Sequence, residues 1–182
     1  MNQENNLAIP IDDGKCNHLL NMQLPKLSLN STGNNTIDLS KLEGLTVLYF
    51  YPRMGRPDVE LPEGWVNIAG AAGCTPQSCS FKEHQGEFDR LKVKVYGVST
   101  QSSSYQKEAV DRLALSFDIL SDEHLDLTEA LNLPTFEVEG VILTKRVTLI
   151  CHDREIIKVF YPVFPPKENA QEVLSCIEEI LV

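Results

Sequence analysis

No run of apolar residues in this chain approaches the length needed to cross a membrane, so a soluble protein is expected. Basic residues are scarce as well. Sixteen Lys and Arg stand against 26 Asp and Glu, a net charge of -10, and they form no local cluster. A phosphate backbone or an anionic leaflet would be repelled, which argues against nucleic acid and membrane surfaces as partners. The opening residues MNQENNLAIPIDDGKC lack the cationic start and apolar core of a secretory signal, and the cytoplasm is the expected location. Internal repeats and low-complexity stretches are also missing. Regular cysteine spacing is absent too: Cys16, Cys74, Cys79, Cys151 and Cys176 are an odd, irregular set, unlike an extracellular disulfide framework.

What is present is the material of one domain. The 182 residues are 42% hydrophobic and 23% charged, enough for a full core without staples. Residues 24–40 alternate apolar and polar around a Gly-Asn-Asn tip, which predicts a short hairpin. LTVLYFY (45–51) is a continuous apolar run, as expected of a central strand covered on both faces and ended by Pro52. A Pro- and Gly-rich loop follows to residue 70. Periodicity then predicts a helix over 75–91, a strand over 93–100, a helix over 104–115, a strand over 117–122 and a helix over 123–133. Antiparallel strands follow, with turns at Glu139-Gly140 and His152-Asp153, before Pro162 and Pro165 end the last strand and an amphipathic helix over 167–182 closes the chain. Strands alternating with helices imply an α/β fold with a mixed sheet between helices.

GAAGCTPQSCSF (70–81) is where chemistry concentrates. Ligands of such sheets gather at the carboxyl ends of the strands, where helix amino termini converge, and Cys74 is expected there. Thr75 as N-cap and Pro76 as first helical residue would start the helix, whose free N–H groups and positive dipole end favour thiolate over thiol at Cys74. Three readings of the Cys74 and Cys79 pair are open. A zinc site could draw on Cys74, Cys79 and His84, but it lacks a fourth ligand and the usual spacing. The pair could be inert and buried, as expected of Cys151 and Cys176, which lie in apolar periodic stretches. The favoured reading is redox: a thiolate oxidised to sulfenic acid and resolved by a second thiol. Four residues separate the two cysteines, not the two of a thioredoxin Cys-x-x-Cys. If both are helical, five steps of 1.5 Å separate them by roughly 7.5 Å along the axis, beyond the ~7 Å limit for bridged Cα atoms. The helix start must then unwind for a bond to form. Arg146, just before a strand, could hold a guanidinium near that thiolate, although alone it reads as a surface arginine.

Taken together, LTVLYFYP, GCTPQSCSF, VYGVST and KRVTLI resemble a peroxiredoxin of thioredoxin-like fold, of the bacterioferritin comigratory or PrxQ-like class, from about Leu24 to the C-terminus. The resemblance implies residues 1–23 as an extension, a domain over 24–182 with an N-terminal β-hairpin, and an inserted loop at about 55–70. It implies Cys74 as peroxidatic cysteine, Cys79 as resolving cysteine of an intramolecular disulfide, and Arg146 as active-site arginine. It further implies an antioxidant enzyme that reduces hydrogen peroxide or organic hydroperoxides, is recycled by thioredoxin or a similar dithiol, needs no cofactor or metal, and exists as a monomer or weak homodimer. A redox-sensing module with little turnover is the alternative. The chain departs from the family's Pro-x-x-x-Thr-x-x-Cys: 21 residues rather than six lie between Pro52 and Cys74, and Ala71 occupies the threonine position. Glutamate is frequent in relatives near Gln77. Arg53, Arg56 and Thr75 are the candidates to replace the missing hydroxyl, whose loss is worth about a hundredfold in rate at most. The loop itself is either tolerated decoration or a lid.

Overall fold

The computed structural model describes residues 7–182. Along the chain run β1 (Ser28–Ser31), β2 (Thr36–Asp38), β3 (Leu45–Phe50), α1 (Cys74–Glu83), α2 (Gln85–Arg90), β4 (Lys94–Ser99), α3 (Ser103–Leu113), β5 (Ile119–Ser121), α4 (Asp126–Ala130), β6 (Thr135–Val138), β7 (Val141–Thr144), β8 (Val147–His152), β9 (Glu155–Phe160) and α5 (Asn169–Leu181). Seven strands form one mixed sheet in the order β2-β1-β5-β4-β3-β8-β9. The pairs β3/β4 and β4/β5 are parallel and joined through helices, whereas β8 runs antiparallel to β3 and β9 antiparallel to β8. The hairpin expected at 24–40 is β1 and β2, attached through β1 to β5.

Alternation within β3 sorts side chains into two cores. Leu45, Val47, Tyr49 and Tyr51 point to a layer with Phe81, Phe88, Ala109, Val173, Leu174 and Ile177, so α1, α2, α3 and α5 cover that face. Leu48 and Phe50 point to the other, with Leu127 and Leu131 from the region of α4 and with Cys16 and Leu19 from the segment before β1. Both faces are covered, which is why the run has no polar side. Burying each such side chain stabilises the fold by about 1.5–3 kcal/mol relative to leaving it exposed. Tyr49 stacks on Phe81 with centroids 4.4 Å apart, and Phe81 lies 5.8 Å from Phe88, so α1 and α2 are registered on the sheet by an aromatic column. Among the described residues no helix is long and apolar enough to cross a membrane.

Several boundaries differ from expectation, each for a local reason. The single helix expected over 75–91 is two, broken at His84 (φ -93°, ψ 5°), whose ring nitrogen lies 2.8 Å from Glu87 Oε1. Gly86 just beyond adds little helical propensity. The helix expected over 123–133 is confined to five residues, because the Asp122 carboxylate accepts from Leu127 N and Thr128 N, each at 2.9 Å, and so acts as its cap. The last hairpin turns at Asp153-Arg154 rather than His152-Asp153. Both turn residues have positive φ (46° and 74°), and His152 pairs with Glu155, the geometry of a two-residue turn that matches strand twist. The late strands do not all join one sheet: β6 and β7 pair only with each other and dock through the hydroxyls of Thr128 and Thr144, 2.7 Å apart.

Two cysteines also differ from expectation. Cys16, read as part of a polar segment, is buried in the second core, while Cys176 is only half-buried. The segment around Cys16 bonds to β9, with Asn21 N donating to Ile156 O and Ile156 N to Met22 O, both at 2.8 Å.

Candidate active site

Helix α1 begins two residues earlier than its Thr-Pro signal suggests. Gly73 is the N-cap with φ 105°, a conformation open to glycine, and a Cβ there would lie 2.6 Å from Pro166 Cγ. The left-handed step turns the chain so that Cys74 is itself the first helical residue and Pro76 the third. Thr75 is therefore no cap; its hydroxyl lies 3.3 Å from the Met54 sulfur. Met54 is tied in turn to Gln101, donating its N–H to Oε1 at 2.7 Å and accepting from Nε2 at 3.2 Å. The helix start is thus wedged between the loop after β3 on one side and Pro166 on the other.

Cys74 is 4% exposed and Arg146 3%. Arg146 Nη2 lies 3.2 Å from Cys74 Sγ and also donates to the carbonyls of Ala71 and Ala72 at 3.1 and 3.0 Å. The thiol form can donate to Ala71 O, 3.6 Å away. Arg146 Nη1 donates to Gln77 Oε1. Arg146 Nε has no hydrogen-bond partner, and among the described residues no carboxylate is within ion-pair distance of this guanidinium. A buried cation without a counter-charge is costly, and the sulfur in contact with it is the group that can ionise to supply one. The surface reading of Arg146 is corrected: the pleat of β8 and the inward turn of residue 146 carry it under the loop of residues 70–73.

Cys79 is half-buried on the same helix, and both cysteines are free. Helical rise alone puts them about 7.5 Å apart along the axis. Ser78 between them is pinned by the Tyr49 hydroxyl, 3.0 Å from its Oγ. His84, the third candidate zinc ligand, pairs with Glu87 instead, and among the described residues no group of three His, Cys, Asp or Glu side chains could hold a metal.

The three candidates for the missing hydroxyl are engaged elsewhere. Arg56 forms a two-pronged pair with Asp58 at 2.9 and 2.7 Å and lies over the Tyr105 ring. Arg53 lines a cavity of about 240 Å³ with Thr100, Gln101, Tyr105 and Leu143, and Thr75 faces Met54. At position 71 the group near the sulfur is the backbone carbonyl. The inserted loop packs inward, Trp65 against Phe136 of β6 with ring centroids 6.2 Å apart, in a small third core that includes Ala71 and Leu143. Sequence reading missed Gly73, Asn169 and Thr148 as site components. Gln77 entered only through the resemblance, as a position near which relatives carry glutamate; it stands three residues after Cys74, on the same helix face.

Comparisons with known proteins show the family and the fold. Residues 19–174 match the Redoxin family. The chain is 26% identical over 158 residues to the chloroplastic peroxiredoxin Q of Populus jackii, covering 86% of this chain and 66% of that protein. It is 29% identical over 106 residues to peroxiredoxin Bcp of Escherichia coli K12, 58% of each. The chain thus spans slightly less than two thirds of the length of the plant relative. Among solved structures, peroxidoxin BcpB of Mycobacterium tuberculosis superposes with TM-score 0.72 at 21% identity, covering 88% of this chain and 97% of that one. The Xanthomonas campestris bacterioferritin comigratory protein, studied for alkyl peroxide reduction, gives 0.70 at 19% identity, with 97% and 99% covered. The chain belongs to the Redoxin family, with the thioredoxin-like peroxiredoxin fold and a likeness to the Q and Bcp class.

Proposed function

We propose that the protein is a thiol peroxidase of antioxidant role, with Cys74 as peroxidatic cysteine, Cys79 as resolving cysteine and Arg146 as the residue that stabilises charge during oxygen transfer. The observation that carries the reading is the Arg146 Nη2 to Cys74 Sγ contact of 3.2 Å at the amino end of a helix. A guanidinium and the free N–H groups of a helix start converge on the sulfur, where they can stabilise the negative charge that passes to the leaving oxygen as peroxide is attacked.

The thiolate of Cys74 attacks one oxygen of ROOH, the O–O bond breaks, and ROH leaves with a proton from solvent. Sulfur is oxidised by two electrons to sulfenic acid. The Cys79 thiol then attacks that sulfur, forming the S–S bond and releasing water. A thioredoxin-like dithiol returns the two electrons by thiol-disulfide exchange. Organic hydroperoxides join hydrogen peroxide as the substrate class, in keeping with the alkyl peroxide activity of the Xanthomonas relative. The irregular cysteine set, with all five thiols free, fits a reducing cytoplasm. No metal or organic cofactor enters any step.

The test is stopped-flow oxidation followed by peptide mapping. Rapid consumption of one equivalent of hydrogen peroxide, giving a Cys74–Cys79 link that is absent from Cys79→Ser, is the expected result. Oxidation of Cys74 no faster than that of free cysteine would leave a sensor that kept the pair and lost efficient turnover with the family threonine.

A further inference from the structure

Behind Gln77 the polar contacts continue into the core. Gln77 Nε2 donates to Asn169 Oδ1 at 3.0 Å, and Thr148 Oγ1 donates to the same oxygen at 2.7 Å. Gln77, Asn169 and Thr148 are all fully buried, an expensive place for three polar side chains unless their bonds matter. Thr148 is the second residue of β8 and Arg146 immediately precedes the strand, two residues earlier in the chain. The contacts therefore close a ring: Arg146 to Gln77 on α1, Gln77 to Asn169 at the start of α5, Asn169 to Thr148, and Thr148 back to Arg146 along the backbone through Val147.

The direction of the bonds is what the ring fixes. An amide can present either its oxygen or its NH2, and the two ends have nearly the same shape. Arg146 has only donors, so it needs Gln77 Oε1 facing it, which requires an acceptor at the other end of the Gln77 amide. Asn169 Oδ1 is that acceptor, held with its oxygen towards Gln77 by the second donor, Thr148. Asn169 Nδ2 makes no hydrogen bond within 3.5 Å, and its nearest polar interaction is with the Glu172 carboxylate, which suits Oδ1 facing Gln77. If the Gln77 amide turned over, its NH2 would face the guanidinium and push it from the sulfur.

We propose that Asn169 and Thr148 are positioning residues of the active site, orienting the Gln77 amide so that Arg146 is held against Cys74. Neither touches the sulfur. The proposal rests on Cys74 being the reacting sulfur. Losing one oriented hydrogen bond from the ring is expected to slow Cys74 by roughly three- to tenfold, the range of a single net bond of about 0.5–1.5 kcal/mol.

The test is a double-mutant cycle on the full chain, read as the rate of Cys74 with hydrogen peroxide and, separately, its alkylation by iodoacetamide followed on the Cys74 peptide. Thr148→Val should slow both reactions three- to tenfold, and Thr148→Ser, which keeps the hydroxyl, should stay within about twofold of the parent. In a Gln77→Leu background, Thr148→Val should have no further effect on rate, even though it still lowers the melting temperature. Equal slowing in both backgrounds, or none in the first, overturns the proposal. Should Thr148→Val not fold, Thr148→Ala carries the same comparison. If the parent protein reacts with peroxide no faster than free cysteine, the peroxidase reading fails, and the iodoacetamide arm still decides the ring.

Discussion

Replacing Gly73 by alanine probes the step that places Cys74 at the helix start. Two costs are separable. The backbone there has φ 105°, and an L-residue in such sparsely populated regions costs about 1–3 kcal/mol. The new Cβ would lie 2.6 Å from Pro166 Cγ and 3.1 Å from Pro166 Cβ, and overpacking of this kind costs about 1–3 kcal/mol. Because Pro166 is a ring in the turn that leads into α5, it cannot swing aside as a flexible side chain would. The sum is about 2–6 kcal/mol, and at ~2–4 °C per kcal/mol for a chain of this size the melting temperature should fall by at least about 4 °C. Urea unfolding at constant m-value gives the free energy directly. Pro166→Ala combined with Gly73→Ala removes the atom at 2.6 Å and should recover the clash part while leaving the backbone part, so the double variant is more stable than Gly73→Ala alone. A Gly73→Ala protein within about 0.5 kcal/mol of the parent, with no rescue by Pro166→Ala, would refute the wedge between the helix start and this turn.

Arg146→Met should slow Cys74 oxidation about a hundredfold, the scale of one charge-stabilising donor. Arg146→Lys should not restore it, since one ammonium cannot reach the sulfur, Gln77 and two carbonyls in a planar fork; stopped-flow rates within threefold of the parent for either variant would contradict this. After one equivalent of peroxide, amides of residues 77–79 should lose hydrogen-exchange protection, because the ~7.5 Å rise between the two cysteines forbids the disulfide in an intact helix. A mapped Cys74–Cys79 link with undiminished protection would sink that geometry. Burial pushes the Cys16 and Cys151 thiols up to about 12, with Asp13 and Asp12 adding to the effect at Cys16. At pH 8 both should therefore resist iodoacetamide in the native protein. An acid whose pKa rises on folding loses its proton first in the unfolded chain, so its stabilising effect is complete below about pH 9 and declines as pH climbs towards about 12. Urea titrations across that range check the sign.

The legible parts of this fold were those with a local cause. The run 45–51 advertised β3 because both its faces are covered, and the alternation at 24–40 advertised its hairpin. The Thr-Pro pair after Cys74 announced a helix start within two residues, and the remaining error came from Gly73, whose left-handed step brings it against Pro166 far along the chain. α4 was misjudged for a similar reason, since its beginning is set by the carboxylate of Asp122 rather than by periodicity. In the site, Cys74 and Cys79 were visible as a pair, and Arg146 was visible only through family resemblance, because a lone arginine before a strand looks the same on a surface. Asn169 and Thr148 gave no sign at all. Their role exists only where three elements meet, and neither stands at a helical spacing from the cysteines.

The groups that hold Cys74 come late in the chain: Arg146 follows it by 72 residues, and Asn169 follows Gln77 by 92. A ribosome that has just released the GCTPQSC segment has therefore made two ordinary thiols, with neither the cation nor the turn that trains one of them. The guanidinium reaches Cys74 only after those 72 residues have been made. A fragment truncated before α5 keeps both cysteines and Arg146 but lacks Asn169, through which the proposed ring of contacts runs.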